Sequence, residues 1–206
     1  MIKLKFLMVI VLLLTAHNGF AQSIVGEKST TVLSPAVQKI VEQKIELIEK
    51  KVARDACVIN EVKRYNEKNE NYSMEEIKKA DEAWRVSKKT VTDFMKEFLT
   101  GPLAEFLIVF QESHEGFVEM FMTDVKGLNV AMTNKTSDYL QSDEDWWVKC
   151  YADGQGRAYY SDIEYDEIAM SESISVFVPV KDPQDNKVIG VIKAVIDITS
   201  IQRELQ

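Results

Sequence analysis

Two adjacent tryptophans, Trp146 and Trp147, stand beside Asp143, Glu144 and Asp145, with Tyr139 ahead of them and Tyr151 behind. Aromatic faces next to carboxylate oxygens are the materials of a small-ligand pocket, above all for an amine or another cationic group. Neighbouring residues on a helix point about 100° apart, so one tryptophan is expected to line the pocket and the other to pack in the core. Tyr139 lies seven residues before Trp146 and shares its face if the segment is helical. Tyr159, Tyr160, Tyr165 and Asp166 are expected on a strand and turn facing these rings, with Tyr160 and Tyr165 as further walls and Asp166 as the anion for an ammonium. Lys193 breaks the apolar run of the last strand. It lies either on a solvent face by alternation or in the pocket as a cation, and in the second case an organic acid becomes the favoured ligand. Asp143, Glu144 and Asp145 otherwise read as a solvated acidic face, and no metal site is expected because no histidine accompanies them.

Catalysis finds little support. His17 falls in an N-terminal targeting segment, which leaves His114 beside a predicted helix end, where contact with the helix dipole explains it. No nucleophile elbow, phosphate loop or zinc spacing is present, so no enzyme and no cofactor are expected. Paired carboxylates for glycoside hydrolysis are found by geometry and stay open as a minor alternative. Cys57 and Cys150 either pair in a disulfide outside the cytoplasm or serve as two small buried hydrophobes.

The elements that must position these residues begin after that targeting segment. Lys3 and Lys5 precede the apolar run Leu7–Leu14, which is too short to span a bilayer. Residues 1–21 therefore read as a signal peptide cut after Ala21, and the protein as periplasmic or secreted. Its removal takes the formal charge from −8 to about −10, a balance with little attraction for nucleic acid. A linker follows over 22–33 and one domain over 34–206. Ser34-Pro35 is a helix start, and Val37, Ile40, Val41, Ile45, Ile48, Val52, Ile59 and Val62 recur at helical spacing. One long amphipathic helix to about Tyr65 is expected, packed on its own domain or on a second copy in a homodimer. Ser73 and Glu76 form a capping box opening a helix to about Val86, and helices over Thr90–Leu99 and Pro102–Gln111 complete a helical part, 34–113. Strands follow over 114–200: Phe117–Met122 and Gly127–Met132 around an Asp124–Lys126 turn, then Arg157–Tyr160, Ser173–Val180 and Lys187–Asp197. Helices first and an antiparallel sheet after them, with the tryptophan segment as a large insertion, make an α+β domain.

The order of the long helix, the hairpin with Gly127, Thr133 to Tyr139, the tryptophan pair, Val178-Pro179-Val180 and Val188 to Lys193 resembles an extracellular Cache domain, the PAS-like sensor fold also called PDC, in its single form. The resemblance covers Pro35 to Ile198. It implies an antiparallel sheet of about five strands backed by the long helix, with a pocket between the sheet and the tryptophan insertion. Members of this family form the sensing parts of histidine kinases and chemoreceptors and bind amino acids, amines and organic acids. One subgroup uses a tyrosine, an arginine five residues on and an aromatic pair. Tyr139, Trp146 and Trp147 match that pattern, but Glu144 stands in the arginine's place and would repel an α-carboxylate. The chain ends at Gln206 without a second membrane span or output domain, so a free-standing exported sensor is expected. It would present a small polar metabolite, an amine or an organic acid, to a membrane histidine kinase or chemoreceptor. A structural protein that keeps the Cache fold without a ligand is the alternative.

Overall fold

In the computed structural model, residues 33–88, 90–166 and 170–206 are described. Residues 1–21, where a signal peptide is expected, and residues 22–32 of the expected linker lie outside them. Ser34 caps α1 (Pro35–Lys51) by accepting from the Val37 amide at 3.3 Å, as its Ser-Pro signature predicts. The single long helix is corrected: α2 (Ala56–Asn69) starts afresh after a break. At the break the Ile48 carbonyl accepts from both the Val52 and Ala53 amides at 2.9 Å, and the Asp55 side chain caps the Cys57 amide at 2.8 Å. The bend keeps Ile48, Val52, Val58 and Val62 in one buried line. The apolar stripe is therefore used inside the domain.

Three further helices follow: α3 (Met74–Val86), with the expected Ser73–Glu76 capping box, α4 (Asp93–Thr100) and α5 (Pro102–Ser113). The five strands are β1 (Phe117–Asp124), β2 (Asn129–Met132), β3 (Tyr159–Asp166), β4 (Ser171–Lys181) and β5 (Val188–Asp197), and α6 (Asp145–Tyr151) lies in the insertion between β2 and β3. They form one antiparallel sheet in the order β2-β1-β5-β4-β3. β3 runs on through Ser161–Asp166, where the sequence suggests only turns, because a polar, acidic strand carries weak strand propensity. A last helix, α7 (Ile198–Glu204), is capped by Asp197, whose carboxylate accepts from the Ser200 amide at 3.0 Å. No helix among the described residues is long and apolar enough to cross a membrane.

Side chains alternate across a strand, and the register sorts them into two unlike faces. Met120, Met122, Ile174, Val176, Val178, Ile192, Ala194 and Ile196 share one face and are buried in the main core with the residues of α1 and α2. Glu119, Phe121, Thr123, Val191, Lys193, Val195, Ser173, Ser175 and Phe177 share the other. The β1–β2 turn is fastened to the end of α2 by the buried Asp124. Its Oδ1 accepts from the Lys126 and Leu128 amides at 2.8 and 2.9 Å, and its Oδ2 accepts from Asn69 Nδ2 at 2.8 Å. Burial pushes this carboxyl upward, against the pull of those donors and of Lys126. Asp124→Ala strands all three donors and is expected to lower the unfolding free energy by about 3 kcal/mol, read as a lower urea midpoint at constant slope. A loss below about 0.5 kcal/mol would mean that the turn holds without it.

Candidate functional site

A pocket of about 300 Å³ sits on the second face of the sheet. Its floor comes from Glu119 and Phe121 of β1, Lys193 of β5, and Glu164 and Asp166 of β3. Its roof is the loop before α6, through Thr136, Ser137, Gln141 and Glu144, together with Trp146.

The roof is held by buried polar groups. Asp81 on α3 accepts from the Tyr139 and Leu140 amides at 2.9 and 3.0 Å and pairs with Arg85 at 2.8 Å. Trp84 Nε1 donates to the Thr136 carbonyl at 2.9 Å. Asn129 Nδ2 donates to Thr136 Oγ1 and to the Asp138 carbonyl, both at 2.8 Å, and Gln141 Nε2 donates to the Asp138 carboxylate. Burial, with Asp81 close by, pushes the Asp138 carboxyl upward, and Arg85 opposes that. Gly127 lets the loop close on the hairpin: it has φ +78°, and a Cβ there would come within 2.5 Å of the Ser142 backbone nitrogen.

The residues singled out in the sequence divide. Trp146, Asp166 and Lys193 meet at the pocket. Trp146 stands edge-on to Phe121, with centroids 5.8 Å apart, and stacks on Phe177 at 5.2 Å. Lys193 Nζ lies 5.5 Å from the Trp146 ring centroid and 5.7 Å from that of Phe121. Trp147 turns inward, donates from Nε1 to Thr123 Oγ1 at 2.8 Å, and packs with Cys150, Phe177 and Val191. Only one tryptophan lines the pocket, as the helical phase requires.

Tyr139 lies elsewhere. Helix α6 starts only at Asp145, so Tyr139 does not share a helical face with Trp146. Its ring is 2% exposed and stacks on Trp84 at 5.6 Å, among Phe94 and Phe98. Tyr160 pairs with Val176 and packs against the main core, and Tyr165 is 64% exposed. Cys57 and Cys150 are both free thiols, which corrects the disulfide expectation. Cys57 is exposed at the start of α2, whereas Cys150 lies on the buried side of α6, where burial pushes its thiol up to about 12. His114 closes α5 as expected, with Nδ1 2.8 Å from the Phe110 carbonyl.

Glu119 is the site residue that the sequence reading passed over. The signal was there: it is the one charge in the apolar run Phe117–Met122. It is 2% exposed, and burial raises its carboxyl to about 7, with Lys193 pulling it down and Asp166 pushing it up. Three larger recesses differ in kind, and one of about 350 Å³ is lined by Tyr139 with Lys68, Tyr72, Phe94 and Phe98. One of about 620 Å³, at the α1–α2 break, includes Lys181, which donates to the Gln155 carbonyl, and Asp182, which pairs with Lys63. One of about 530 Å³, between α3 and α4, is an apolar groove beside Trp84 and Phe94.

The strand order and the helices ahead of the sheet make an α+β domain with the five-stranded antiparallel sheet that the resemblance implies. Solved structures similar to this chain include the ligand-binding domain of the Campylobacter jejuni chemoreceptor Tlp3 in complex with 4-methylisoleucine, at 13% identity over 82% of this chain and 63% of that chain, with a TM-score of 0.40. The ligand-binding domain of the Pseudomonas aeruginosa amino acid chemoreceptor PctB in complex with L-Arg is similar at 11% identity over 81% and 53%, with a TM-score of 0.40. The E. coli DcuS sensor domain is similar at 15% identity over 63% and 93%, with a TM-score of 0.37. The chain thus spans less than two thirds of the length of the two chemoreceptor domains. No protein-family model matches the chain, and no curated protein matches it.

Glu119 also sets a pH dependence of folding. Below about pH 4.5 it is neutral folded and unfolded, and above about pH 7 it is charged in both states. Between these values the folded chain keeps a proton that the unfolded chain has lost, so this group's stabilising contribution declines as pH rises, by about 3 kcal/mol in all. Urea melts of Glu119→Gln against the parent, at about pH 5 and about pH 7.5, should show that decline removed. An equal slope in both proteins would mean that Glu119 is solvated.

Proposed function

We propose that this protein is an exported sensor module that binds a small polar metabolite, an amine or an organic acid, and reports it to a membrane signalling partner such as a histidine kinase or chemoreceptor. One observation carries the reading. A sheet whose first face packs an apolar core, with Asp124 at the end of β1 bonded to α2, opens a roofed pocket on its second face, and that pocket holds Glu119, Glu164, Asp166 and Lys193 beside the Trp146 ring. A face needed only for packing would be filled with apolar side chains, as the same face is under Trp147. The resemblance of the sequence to Cache sensors supports the signalling role, and the Lys3–Ala21 segment supports export. A homodimer through α1 would have to use its exposed polar side, since the apolar stripe is buried in the domain.

The test is a thermal-shift screen of the protein from Gln22 onward against amines, amino acids and organic acids. A ligand at about a hundred times its dissociation constant adds about 2.7 kcal/mol of stability. Trp146→Ala should weaken a hit about tenfold or more with little loss of stability. Trp147→Ala should instead cost about 3 kcal/mol of stability, since it empties a buried site. A hit indifferent to Trp146 would place the ligand elsewhere, and silence across the screen would remove the sensor reading. Export has its own readout: expressed with its N-terminus in a bacterium, the chain should be recovered outside the cytoplasm beginning at Gln22. Recovery of the uncut chain would point to an anchor.

A further inference from the structure

Among the described residues the fully buried side-chain atoms without a hydrogen-bond partner are Gln111 Oε1 and Asn129 Oδ1, whereas the Glu119 carboxylate borders the space of the pocket. Glu119 is 2% exposed, and among the described residues it makes no hydrogen bond and no ion pair. A carboxylate so little hydrated and without a donor is costly.

The backbone shows that the placement is built. Phe117 pairs with Ile196, but Glu119 pairs with Val195, so a one-residue bulge separates them. Two residues apart on a regular strand, Phe117 and Glu119 would share a face, and Phe117 packs in the helical core with Phe110. The bulge turns Glu119 onto the opposite face and into the pocket, the kind of re-aiming for which bulges recur beside binding sites. A strand meant only to pack would have needed neither the bulge nor the charge.

The groups facing Glu119 set what it can bind. Lys193 faces it from β5, Glu164 and Asp166 from β3, and Glu144 from the loop before α6, while Ser173 and Ser175 of β4 and Ser137, Thr136 and Gln141 of the roof are neutral. Among the described residues lining the pocket the acids outnumber the lysines, with Glu164 and Asp166 also engaged in interactions of their own. Lys193 Nζ sits over the Phe121 and Trp146 rings, a position that a second cation could share only by competition. Resting on the sensor reading above, we propose that Glu119 is the specificity-determining residue of the pocket, and that a compact monocationic amine binds with its ammonium on the Glu119 carboxylate. The step is an exchange without bond making in the ligand. The carboxyl O–H releases its proton to solvent, and the ammonium N–H groups donate to the resulting carboxylate. The hydrocarbon part of the amine lies against Trp146 and Phe121.

A matched series separates the possibilities: isobutylamine, L-valine and isobutyrate, titrated by calorimetry into the protein from Gln22 onward at about pH 6, 7 and 8. An alkylammonium stays charged throughout this range. Isobutylamine should bind about tenfold more tightly at pH 8 than at pH 6, with about one proton released at pH 6 and almost none at pH 8. Glu119→Gln should abolish the proton release and weaken binding, Glu119→Asp should restore the pH slope at reduced affinity, and Lys193→Met should leave amine binding equal or tighter. Near-ultraviolet circular dichroism checks that each variant is folded. Binding of isobutyrate that is lost in Lys193→Met overturns the assignment and leaves an organic-acid sensor. Binding of L-valine without isobutylamine, or amine binding untouched in Glu119→Gln, overturns it equally. Silence from all three beside a hit in the wider screen removes the amine assignment alone. Silence from both removes the sensor reading with it.

Discussion

A β-strand gives its side chains to two faces in strict alternation, and this chain asks opposite things of them. The face over α1 and α2 must be dry, and it carries Met120, Met122, Val176, Val178, Ile192 and Ala194 without a polar group between them. Most of what is polar in the central strands therefore appears on the other face, with Asp124, bonded to Asn69 of α2, remaining on the first. There the insertion divides the surface in two. Trp147, Cys150, Phe177 and Val191 close one half, and Glu119, Lys193, Glu164 and Asp166 line the other. The pocket is the part of that face which α6 does not fill.

The roof depends on α3 as much as on the sheet. Asp81 Oδ1 accepts from both the Tyr139 and Leu140 amides, and Trp84 holds the Thr136 carbonyl. The ring of Tyr139 is drawn into the aromatic cluster under α3 and α4, which fixes the loop and takes the tyrosine out of the pocket. A tyrosine that the sequence resemblance offers to a ligand thus serves to seat the loop that covers it.

Local chemistry was legible in the sequence, and chemistry that depends on distant register was not. Ser34-Pro35, the Ser73–Glu76 box and the Asp124–Lys126 turn each bond within a few residues, so their patterns announce them. The break between α1 and α2 was hidden because Val52 and Ala53 are compatible with a continuing helix and Asp55 caps only once the chain has bent. The second half of β3 looks turn-like in sequence because Asp162, Glu164 and Asp166 are poor strand formers, and the pairing of Ile163 to Asp166 with β4 holds it in strand. Glu119 was visible as an odd charge, but its face is set by a bulge that only the pairing with β5 reveals. The phase of α6 decides between Trp146 and Trp147, and that phase is fixed by where the loop before it is tied down.

The acids of β3 have a second bearing. β3 is an outer strand of the sheet, and among the described residues no further strand pairs with its free side. An open strand edge is a template on which another chain can add and grow into aggregates, and charges along it oppose that growth. Asp162, Glu164 and Asp166 place such charges along the second half of this strand, and since Glu164 and Asp166 also line the pocket, residues that colour it guard the molecule against its own copies. Neutralising them would change colloidal behaviour as well as recognition, which ties the chemistry of this pocket to the solubility of the fold.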